Sequence, residues 1–267
     1  MPITLVYPAD YFKPLQVDEN YRLEAEGFTA AGVAVCTWDG QQLRPAPPVG
    51  SRLLYRGWML TGAQYTDMYT RWASQGWILK TSPEYYQLCH YLPHWYHSLQ
   101  TYTPETHFIE AGAEALEVLK VCLSNRLNEG WPAAFLKDAV KSLKTSLGSR
   151  IDSEAALQPW LQEMKRLRPL EWPLCLRRWE DWQSDTERRY FVYQGQVLAP
   201  SASTESLPEP VLAAASCIDS PFFSVDVIQN TQGHWRLVEL GDGQVSDTVG
   251  WNIDHFVKNL CEVGINP

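Results

Sequence analysis

Residues 222–240 read FFSVDVIQNTQGHWRLVEL, two strand-like runs separated by the turn-forming sequence NTQG. This pattern predicts an antiparallel β-hairpin. If Gln-Gly at 232–233 is the centre of the turn, Asp226 lies directly opposite Glu239. Opposed residues share one face of the hairpin, with side chains roughly 5 Å apart. The sequence therefore predicts two carboxylates side by side on one face.

Two carboxylates at that spacing repel each other unless one is protonated or a cation lies between them. An oxygen-rich, water-accessible site of this kind suits magnesium. The sequence LGDGQ follows Glu239 directly and adds Asp242 as a third candidate ligand, on a turn made flexible by Gly241 and Gly243. We therefore predict a magnesium site. A hairpin with carboxylates on a solvated face is the alternative.

The composition is typical of a folded, acidic protein. The chain has 267 residues, 45% of them hydrophobic, enough for a large core in one or two domains. A net charge of -9 argues against a general nucleic-acid binder. The six cysteines form no CxxC pair, which favours reduced thiols. With no signal peptide and no apolar run near ~20 residues, we expect a cytoplasmic protein without a membrane partner.

The first hundred residues alternate strand-like and helix-like segments, which predicts an α/β unit with a partly parallel sheet. Strands are predicted at 3–7, 33–38, 52–55 and 77–79, one helix with Tyr65, Met68, Tyr69 and Trp72 on one face, and another that begins at Pro83 after Ser82. Residues 98–109 resemble a connector. We place a domain boundary near residue 108.

The second half has strands with few helices, which predicts a largely antiparallel α+β arrangement. Helices are predicted around 116–127, 157–167 and 253–260, strands at 133–137, 173–179, 189–193, 222–228 and 235–240, and a surface loop at 200–210. The fold class is therefore a combination of α/β and α+β.

Basic residues are concentrated between Lys137 and Arg189. Lys137 lies in a predicted strand, and Lys141, Lys144 and Arg150 follow in or near a loop with Ser, Thr and Gly. Basic side chains and backbone donors of this kind can wrap a phosphate chain. The Walker A motif is absent. A solvated basic loop is the alternative interpretation.

Arginines on predicted strands strengthen the phosphate interpretation. Arg177 and Arg178 form one pair, Arg188 and Arg189 another, and strand arginines suit bidentate phosphate contacts. Ordinary ion pairs explain each of them equally well. Arg56 ends a predicted strand before a glycine, a position typical of ligand sites at the carboxyl edge of a sheet. A buried arginine paired with an acid is the competing explanation.

The histidines at 90, 94 and 97 have a spacing that could bind zinc on one helix. Pro93 interrupts that helix, and aromatic neighbours favour packing instead. No Gly-x-Ser-x-Gly or Cys/His pattern indicates nucleophilic catalysis.

Several short segments together resemble the ATP-grasp superfamily, specifically the clade named for two arginines and a lysine. They are YRGWML (55–60), TPET (103–106), FLKD (135–138), LRRWE (176–180), ERRYFV (187–192), SVDV (224–227) and VELGDGQVS (238–246). The resemblance extends over about residues 50–247. It implies a pre-ATP-grasp α/β domain at 1–108 and a two-lobed ATP-grasp domain at 109–267, with a hinge near 179–186.

The resemblance also implies ATP and magnesium as cofactors, and it implies residue roles. Nucleotide contacts would come from Lys137, Lys141, Lys144, Trp179, Glu180, Glu187 and Arg189, catalytic contacts from Arg56, Arg178 and Arg189, and magnesium contacts from Asp226, Glu239 and Asp242. Many members of the superfamily have Asn two residues after the metal Glu, where this chain has Gly241. Asp242 is the candidate replacement.

The function that follows is an ATP-dependent carboxylate–amine or carboxylate–thiol ligase acting through an acyl-phosphate. Its substrate would be a small molecule or peptide with a carboxylate. Two alternatives stay open: an ATP-binding module without ligase turnover, which Gly241 favours, and a phosphotransferase with a non-carboxylate acceptor. The oligomeric state and the identity of the acceptor are not indicated by the sequence.

Overall fold

A computed structural model describes residues 3–140, 148–167, 172–201 and 206–265 of the chain. They form two compact units. Unit 1 contains the described residues of Met1–Cys89, Arg188–Asp226 and Leu240–Pro267, and unit 2 those of His90–Glu187 and Val227–Glu239. The division into functional domains at 1–108 and 109–267 stays a prediction.

The regular elements of the described residues follow in chain order. The strands are β1 (Ile3–Pro8), β2 (Ala34–Trp38), β3 (Leu43–Arg44), β4 (Arg52–Tyr55), β5 (Ile78–Leu79), β6 (Thr106–Ile109), β7 (Ala134–Lys137), β8 (Arg150–Ile151), β9 (Leu174–Arg178), β10 (Trp182–Tyr193), β11 (Gln196–Leu198), β12 (Phe222–Asn230) and β13 (Trp235–Asp242). The helices are α1 (Arg22–Ala30), α2 (Gly62–Ser74), α3 (Pro83–His90), α4 (Leu92–Leu99), α5 (Ala115–Asn128), α6 (Leu157–Leu167), α7 (Glu209–Cys217) and α8 (Ile253–Leu260).

The first sheet lies in unit 1 and is mostly parallel, as the alternating pattern predicts. Its strand order is β3-β2-β1-β4-β5. The strand β1 pairs in parallel with β2 and β4, β4 pairs in parallel with β5, and only the edge strand β3 is antiparallel. Because β1 is central, its apolar side chains are buried on both faces. The four strands predicted in this region are confirmed to within one residue.

Helix α2 shows why the predicted helices of unit 1 form. Thr61 caps its N-terminus and exchanges hydrogen bonds with Gln64 in a capping box. Tyr65, Met68 and Trp72 are buried on one face, as their spacing predicts. Helix α3 begins at the predicted residue, Pro83.

The prediction of a connector at 98–109 is wrong in part, because helix α4 ends and strand β6 lies within this range. Proline is tolerated in the first turn of a helix, so Pro93 is accommodated where α4 begins, directly after α3 ends. The predicted interruption is present, but it falls at Tyr91, two residues before Pro93, and the three histidines lie on two helices. In the described part of the chain, no group of three or more His, Cys, Asp and Glu could hold a metal ion.

The sheet of unit 2 has the order β6-β9-β7-β8 with antiparallel pairing, as predicted for the second half. Helices α5 and α6 pack on it through an apolar cluster that includes Leu119, Leu123, Trp160 and Met164. Each of these side chains is almost entirely buried. This packing fixes strands β7 and β9, which carry the basic residues of interest.

The remaining sheet has the order β11-β10-β12-β13. The predicted hairpin is confirmed as β12 and β13. The predicted hinge near 179–186 overlaps β10, so only its first three residues lie outside a strand. Helix α7 was not predicted, because its alanine-rich sequence carries little periodicity. No helix within the described ranges is long and apolar enough to cross a membrane.

Candidate functional site

Two cations lie on one face of the sheet in unit 2. Lys137 is directly opposite Cys175, and Phe135 is directly opposite Arg177, in the pairing of β7 with β9. Since opposed residues and residues two apart share a face, Lys137 and Arg177 are diagonal neighbours on that face. Their residues are only 5% and 3% exposed. Two buried positive charges are thus placed side by side.

Neither cation has a carboxylate as hydrogen-bond partner among the residues described. Lys137 Nζ donates to the carbonyl oxygens of Asp138, at 2.9 Å, and Val140. Arg177 donates through Nη2 to Thr103 Oγ1 at 2.7 Å and through Nη1 to the carbonyl of Val238 at 3.0 Å, while its Nε has no hydrogen-bond partner in the described ranges. Burial lowers the pKa of both side chains, and the Glu239 carboxylate counteracts part of this shift. This face is therefore suited to an anionic ligand.

Arg177 is a candidate that the sequence prediction did not select. The catalytic role was predicted for Arg178, which is exposed and whose amide donates to the carbonyl of Glu105 at 2.7 Å. Side chains alternate along a strand, so only one member of the pair can share the face of Lys137. Alternation therefore allows only one of the two arginines to lie beside Lys137, and the register of β9 with β7 shows that it is Arg177.

The segment between β9 and β10 carries two further predicted nucleotide residues. The Trp179 ring is stacked near Phe135, with centroids 6.4 Å apart, and the guanidinium of Arg150 lies 5.0 Å from the Trp179 ring centroid. Glu180 binds Arg236 through both carboxylate oxygens at 2.9 Å. These contacts order a partly buried aromatic surface in unit 2.

Another predicted nucleotide residue lies on strand β10. Glu187 is an exposed residue of β10. Lys141 and Lys144 fall outside the described residues, so their predicted role in covering the phosphates is not addressed by the structure.

In unit 1, the predicted phosphate residue Arg189 is paired with the predicted metal ligand Asp226. Arg189 donates through Nε and Nη2 to the two carboxylate oxygens, each at 2.6 Å. The two side chains are 12% and 6% exposed. Arg189 Nη1 also donates to the carbonyl of Asp247 at 3.0 Å. The structure thus brings these two predicted residues together and adds a backbone partner.

Asp242, the third predicted metal ligand, is buried in unit 1. Its Oδ1 accepts hydrogen bonds from the amide and the side chain of Gln244, both at 3.0 Å, and its Oδ2 has no partner in the described residues. Burial raises the pKa of Asp242 to about 7. Glu239 and Asp242 are three residues apart on β13, so their side chains point to opposite faces of the strand. The metal role of Asp242 stays a prediction.

The predicted metal ligands supply carboxylate oxygens, a donor type that suits magnesium. Asp226 and Glu239 lie on the two strands of the hairpin, Asp226 buried and Glu239 partly exposed. Magnesium is commonly held by one or two carboxylates together with substrate phosphates, so a larger protein cage is not needed. The facing of Asp226 and Glu239 stays a prediction.

Arg56 makes the ion pair that the competing explanation describes. Its Nε and Nη2 donate to the two carboxylate oxygens of Glu24 at 2.8 and 2.7 Å, and the two side chains are 2% and 6% exposed. Burial alone lowers the pKa of Arg56, but the Glu24 carboxylate outweighs it and the pKa is raised. Gly57, the next residue, has no room for a side chain, because a Cβ would lie 2.8 Å from Pro8 Cγ. The backbone is therefore closely approached by protein side chains here, and the predicted ligand site at Arg56 stays a prediction.

Solved structures of other proteins share this fold. D-cycloserine synthetase DcsG is 14% identical with a TM-score of 0.64, over 98% of this chain and 99% of that one. The RimK domain protein ATP-grasp from Sphaerobacter thermophilus DSM 20745 is 13% identical with a TM-score of 0.59, over 97% and 98%. ATP-grasp ligase PsnB, complexed with precursor peptide PsnA2 and AMPPNP, is 14% identical with a TM-score of 0.57, over 98% and 96%.

At these identities the structural similarity establishes the fold and confirms the predicted fold class. Among curated proteins, none matches the sequence. Residues 96–260, more than half of the chain, match the ATP-grasp domain model for family 3 of the clade named for two arginines and a lysine. This range includes the two buried cations and the hairpin. The chain therefore belongs to family 3 of that clade of ATP-grasp domain proteins.

Proposed function

We propose that this protein is an ATP- and magnesium-dependent ligase that joins a carboxylate to an amine or a thiol. The observation that carries the proposal is the pair of buried cations, Lys137 and Arg177, whose hydrogen-bond partners among the described residues are neutral carbonyl and hydroxyl oxygens. The Glu239 carboxylate offsets part of their charge, but burying an ion costs several kcal/mol in real proteins, and two cations share this one carboxylate. The phosphates of ATP are anions that offset this cost, so the bound nucleotide completes the site.

We assign the nucleotide contacts accordingly. Lys137 and Arg177 bind phosphate oxygens, and the aromatic surface of Phe135 and Trp179 lies on the same strands and loop for the adenine. Arg189 binds a phosphate through two N–H groups at once, because the planar guanidinium matches two oxygens of a phosphate. Lys141 and Lys144 complete the phosphate contacts in the proposal.

The exposed guanidinium of Arg178 is accessible to an acceptor carboxylate, in keeping with its predicted role. Asp226 and Glu239, with Asp242 as the predicted third ligand, would hold magnesium, which supplies neutralisation of the phosphate charge when bound.

The reaction proceeds in two balanced steps. A carboxylate oxygen of the substrate attacks the γ-phosphorus of ATP, forming an acyl-phosphate and releasing ADP. The amine nitrogen, or thiol sulfur, then attacks the acyl carbon, and inorganic phosphate leaves while the nucleophile loses a proton. The role of Lys137, Arg177 and Arg189 is to bind and orient the oxyanions, a contribution of electrostatic preorganisation. A covalent intermediate on the enzyme is not required.

Two of the similar structures guide the choice of substrate class. One is named as a synthetase of D-cycloserine, and the other is an ATP-grasp ligase complexed with a precursor peptide. These names support an amino-acid or peptide substrate for this chain as part of the proposal.

Product analysis with ATP, magnesium, and panels of amino acids and peptides tests the proposal. ADP together with a new amide or thioester supports the ligase. ADP together with a stable phosphorylated product overturns it in favour of a phosphotransferase.

A second candidate, an ATP-binding module without turnover, is favoured by Gly241 at a position where related proteins have a metal-binding Asn. Tight binding of ATP without ADP formation across the whole substrate panel supports this candidate over the ligase.

A further inference from the structure

The ion pair between Glu24 and Arg56 joins three separate elements of unit 1. Glu24 lies on α1 and Arg56 follows β4, and Tyr7 of β1 donates its hydroxyl to Glu24 Oε1 at 2.8 Å. A buried ion pair is stable only when its remaining hydrogen-bonding groups are satisfied. Here both carboxylate oxygens of Glu24 accept hydrogen bonds from Arg56, and the remaining nitrogen of the guanidinium, Nη1, has other partners.

This nitrogen binds the turn that follows β13. Arg56 Nη1 donates to the carbonyl oxygens of Gly243 and, at 2.8 Å, Ser246. The amide of Gly243 donates to the carbonyl of Phe222 at 3.0 Å, and the hydroxyl of Ser246 lies 2.7 Å from that of Ser224. The buried guanidinium of Arg56 thus binds both ends of the segment 243–246, which also contacts the hairpin.

The next residue along the chain contacts the arginine proposed to bind phosphate. The carbonyl of Asp247 accepts a hydrogen bond from Arg189 Nη1 at 3.0 Å, and Trp251 Nε1 donates to the carbonyl of Arg189 at 2.9 Å. The other donors of Arg189 bind Asp226. If Asp226 turns to another partner, the carbonyl of Asp247 is what still orients the guanidinium.

We propose that Glu24 and Arg56 are a positioning pair that holds the 243–247 turn, so that the Asp247 carbonyl keeps Arg189 aligned with Asp226. The proposal rests on the proposed function for its consequence, which is a well-ordered phosphate and magnesium site. In this proposal Arg56 acts by binding backbone carbonyls of the turn and does not contact the substrate. Glu24, which is remote in sequence, acts by holding Arg56. Outer groups that orient metal and phosphate ligands commonly affect affinity about 10- to 100-fold.

The first variant, Arg56→Lys, keeps the positive charge, but an ammonium group cannot bind both Glu24 and the two backbone carbonyls as the planar guanidinium does. The second variant, Glu24→Gln, removes the negative charge with little change in the shape of the side chain. Tyr7→Phe deletes one hydrogen bond to Glu24 and serves if the first two variants do not fold. Leu43→Ala, in the edge strand β3, is the matched control, because it removes buried apolar contacts of the same unit but none of the hydrogen bonds that hold the turn.

The first measurement needs no nucleotide. The Nε–Hε NMR signal of Arg189, identified by its loss in Arg189→Lys, reports how firmly the guanidinium is held. We expect faster hydrogen exchange of this signal in the Arg56 and Glu24 variants, a smaller effect in Tyr7→Phe, and no change in Leu43→Ala. Unchanged exchange in the folded Arg56 and Glu24 variants overturns the positioning role.

The second measurement is the magnesium dependence of ATP binding, by calorimetry well below each unfolding temperature. The affinity should fall about 10- to 100-fold in Arg56→Lys and Glu24→Gln and stay unchanged in Leu43→Ala. If the Arg189 signal exchanges faster but the affinity for ATP is unchanged, the pair positions Arg189, and its proposed effect on the phosphate and magnesium site is overturned. Wild-type protein that binds no ATP with magnesium overturns the proposed function, while the exchange result still decides whether the pair positions Arg189.

Discussion

Arg189 binds both carboxylate oxygens of Asp226, with its Nε and Nη2 each 2.6 Å from an oxygen. The predicted phosphate residue and the predicted metal ligand therefore neutralise each other's charge. In the proposed function, ATP gives the guanidinium a phosphate partner and magnesium gives the carboxylate a cation partner. Removing either partner deprives the largely buried charge of the other of this ion pair.

Arg189→Lys should impair both function and stability, because one ammonium group cannot bond two carboxylate oxygens and the Asp247 carbonyl together. We expect ATP turnover to fall by a factor on the order of 100, and the free energy of unfolding to fall by about 1–3 kcal/mol. Steady-state ADP formation and urea unfolding measure the two effects. Arg188→Lys, at the exposed neighbouring position, is the control, and equal losses in both variants contradict the assignment.

Lys137→Met should abolish nucleotide binding without loss of stability. Two carbonyls lose a donor, at about 1 kcal/mol each, whereas the penalty for burying the ammonium is several kcal/mol. The free energy of unfolding should therefore stay constant or rise. Arg178→Met, on the opposite face, is the matched control and should retain nucleotide binding by calorimetry. A Lys137→Met variant that binds ATP normally contradicts the assignment of Lys137 as a nucleotide contact.

Glu239→Gln should abolish magnesium-dependent ATP hydrolysis, because a neutral amide is a poor ligand for a hard divalent cation. The circular dichroism spectrum should be unchanged, since this side chain is partly exposed. Hydrolysis is followed by phosphate release over a magnesium titration. Full activity of the folded variant contradicts the metal assignment.

Asp242 should make stability fall as pH rises. Its pKa is about 7 in the folded protein, raised by burial, against 3.8 for the unfolded chain, so the folded state binds the proton more tightly between these values. The stabilising contribution is complete below pH about 4 and is lost as pH rises through about 7, in total on the order of a few kcal/mol.

The Asp242→Asn variant isolates this contribution because its amide does not titrate. The free energy of unfolding of the wild type minus that of the variant should decrease from pH 5 to pH 8, measured in urea without nucleotide. A difference that does not depend on pH contradicts the prediction.

Gly243→Ala should destabilise unit 1, because a Cβ at this position would lie 2.6 Å from ring atoms of the buried Phe222. Overpacking of this kind costs about 1–3 kcal/mol. Gly112→Ala is the control, with nothing within 4 Å of its added carbon and an expected change within about 0.5 kcal/mol. Equal unfolding midpoints for the two variants contradict the prediction.

Most of the secondary structure followed from local patterns in the sequence. The strand at 52–55, the helix face of Tyr65, Met68 and Trp72, and the hairpin around 232–233 each depend on neighbours within a few residues. Side-chain periodicity and turn chemistry are properties of that range. Helix α4 was missed because its apolar residues lie within an aromatic- and histidine-rich stretch that contains Pro93.

The sequence by itself determined the kinds of residue available: a carboxylate hairpin, a strand lysine and paired arginines. Only the tertiary structure decided the partner of each. Arg56 meets Glu24 across 32 positions, and Arg189 meets Asp226 across 37. The register of β7 with β9 made Arg177 the neighbour of Lys137. Strand order and register bring together residues far apart in the chain, and local periodicity specifies only the face on which each side chain lies.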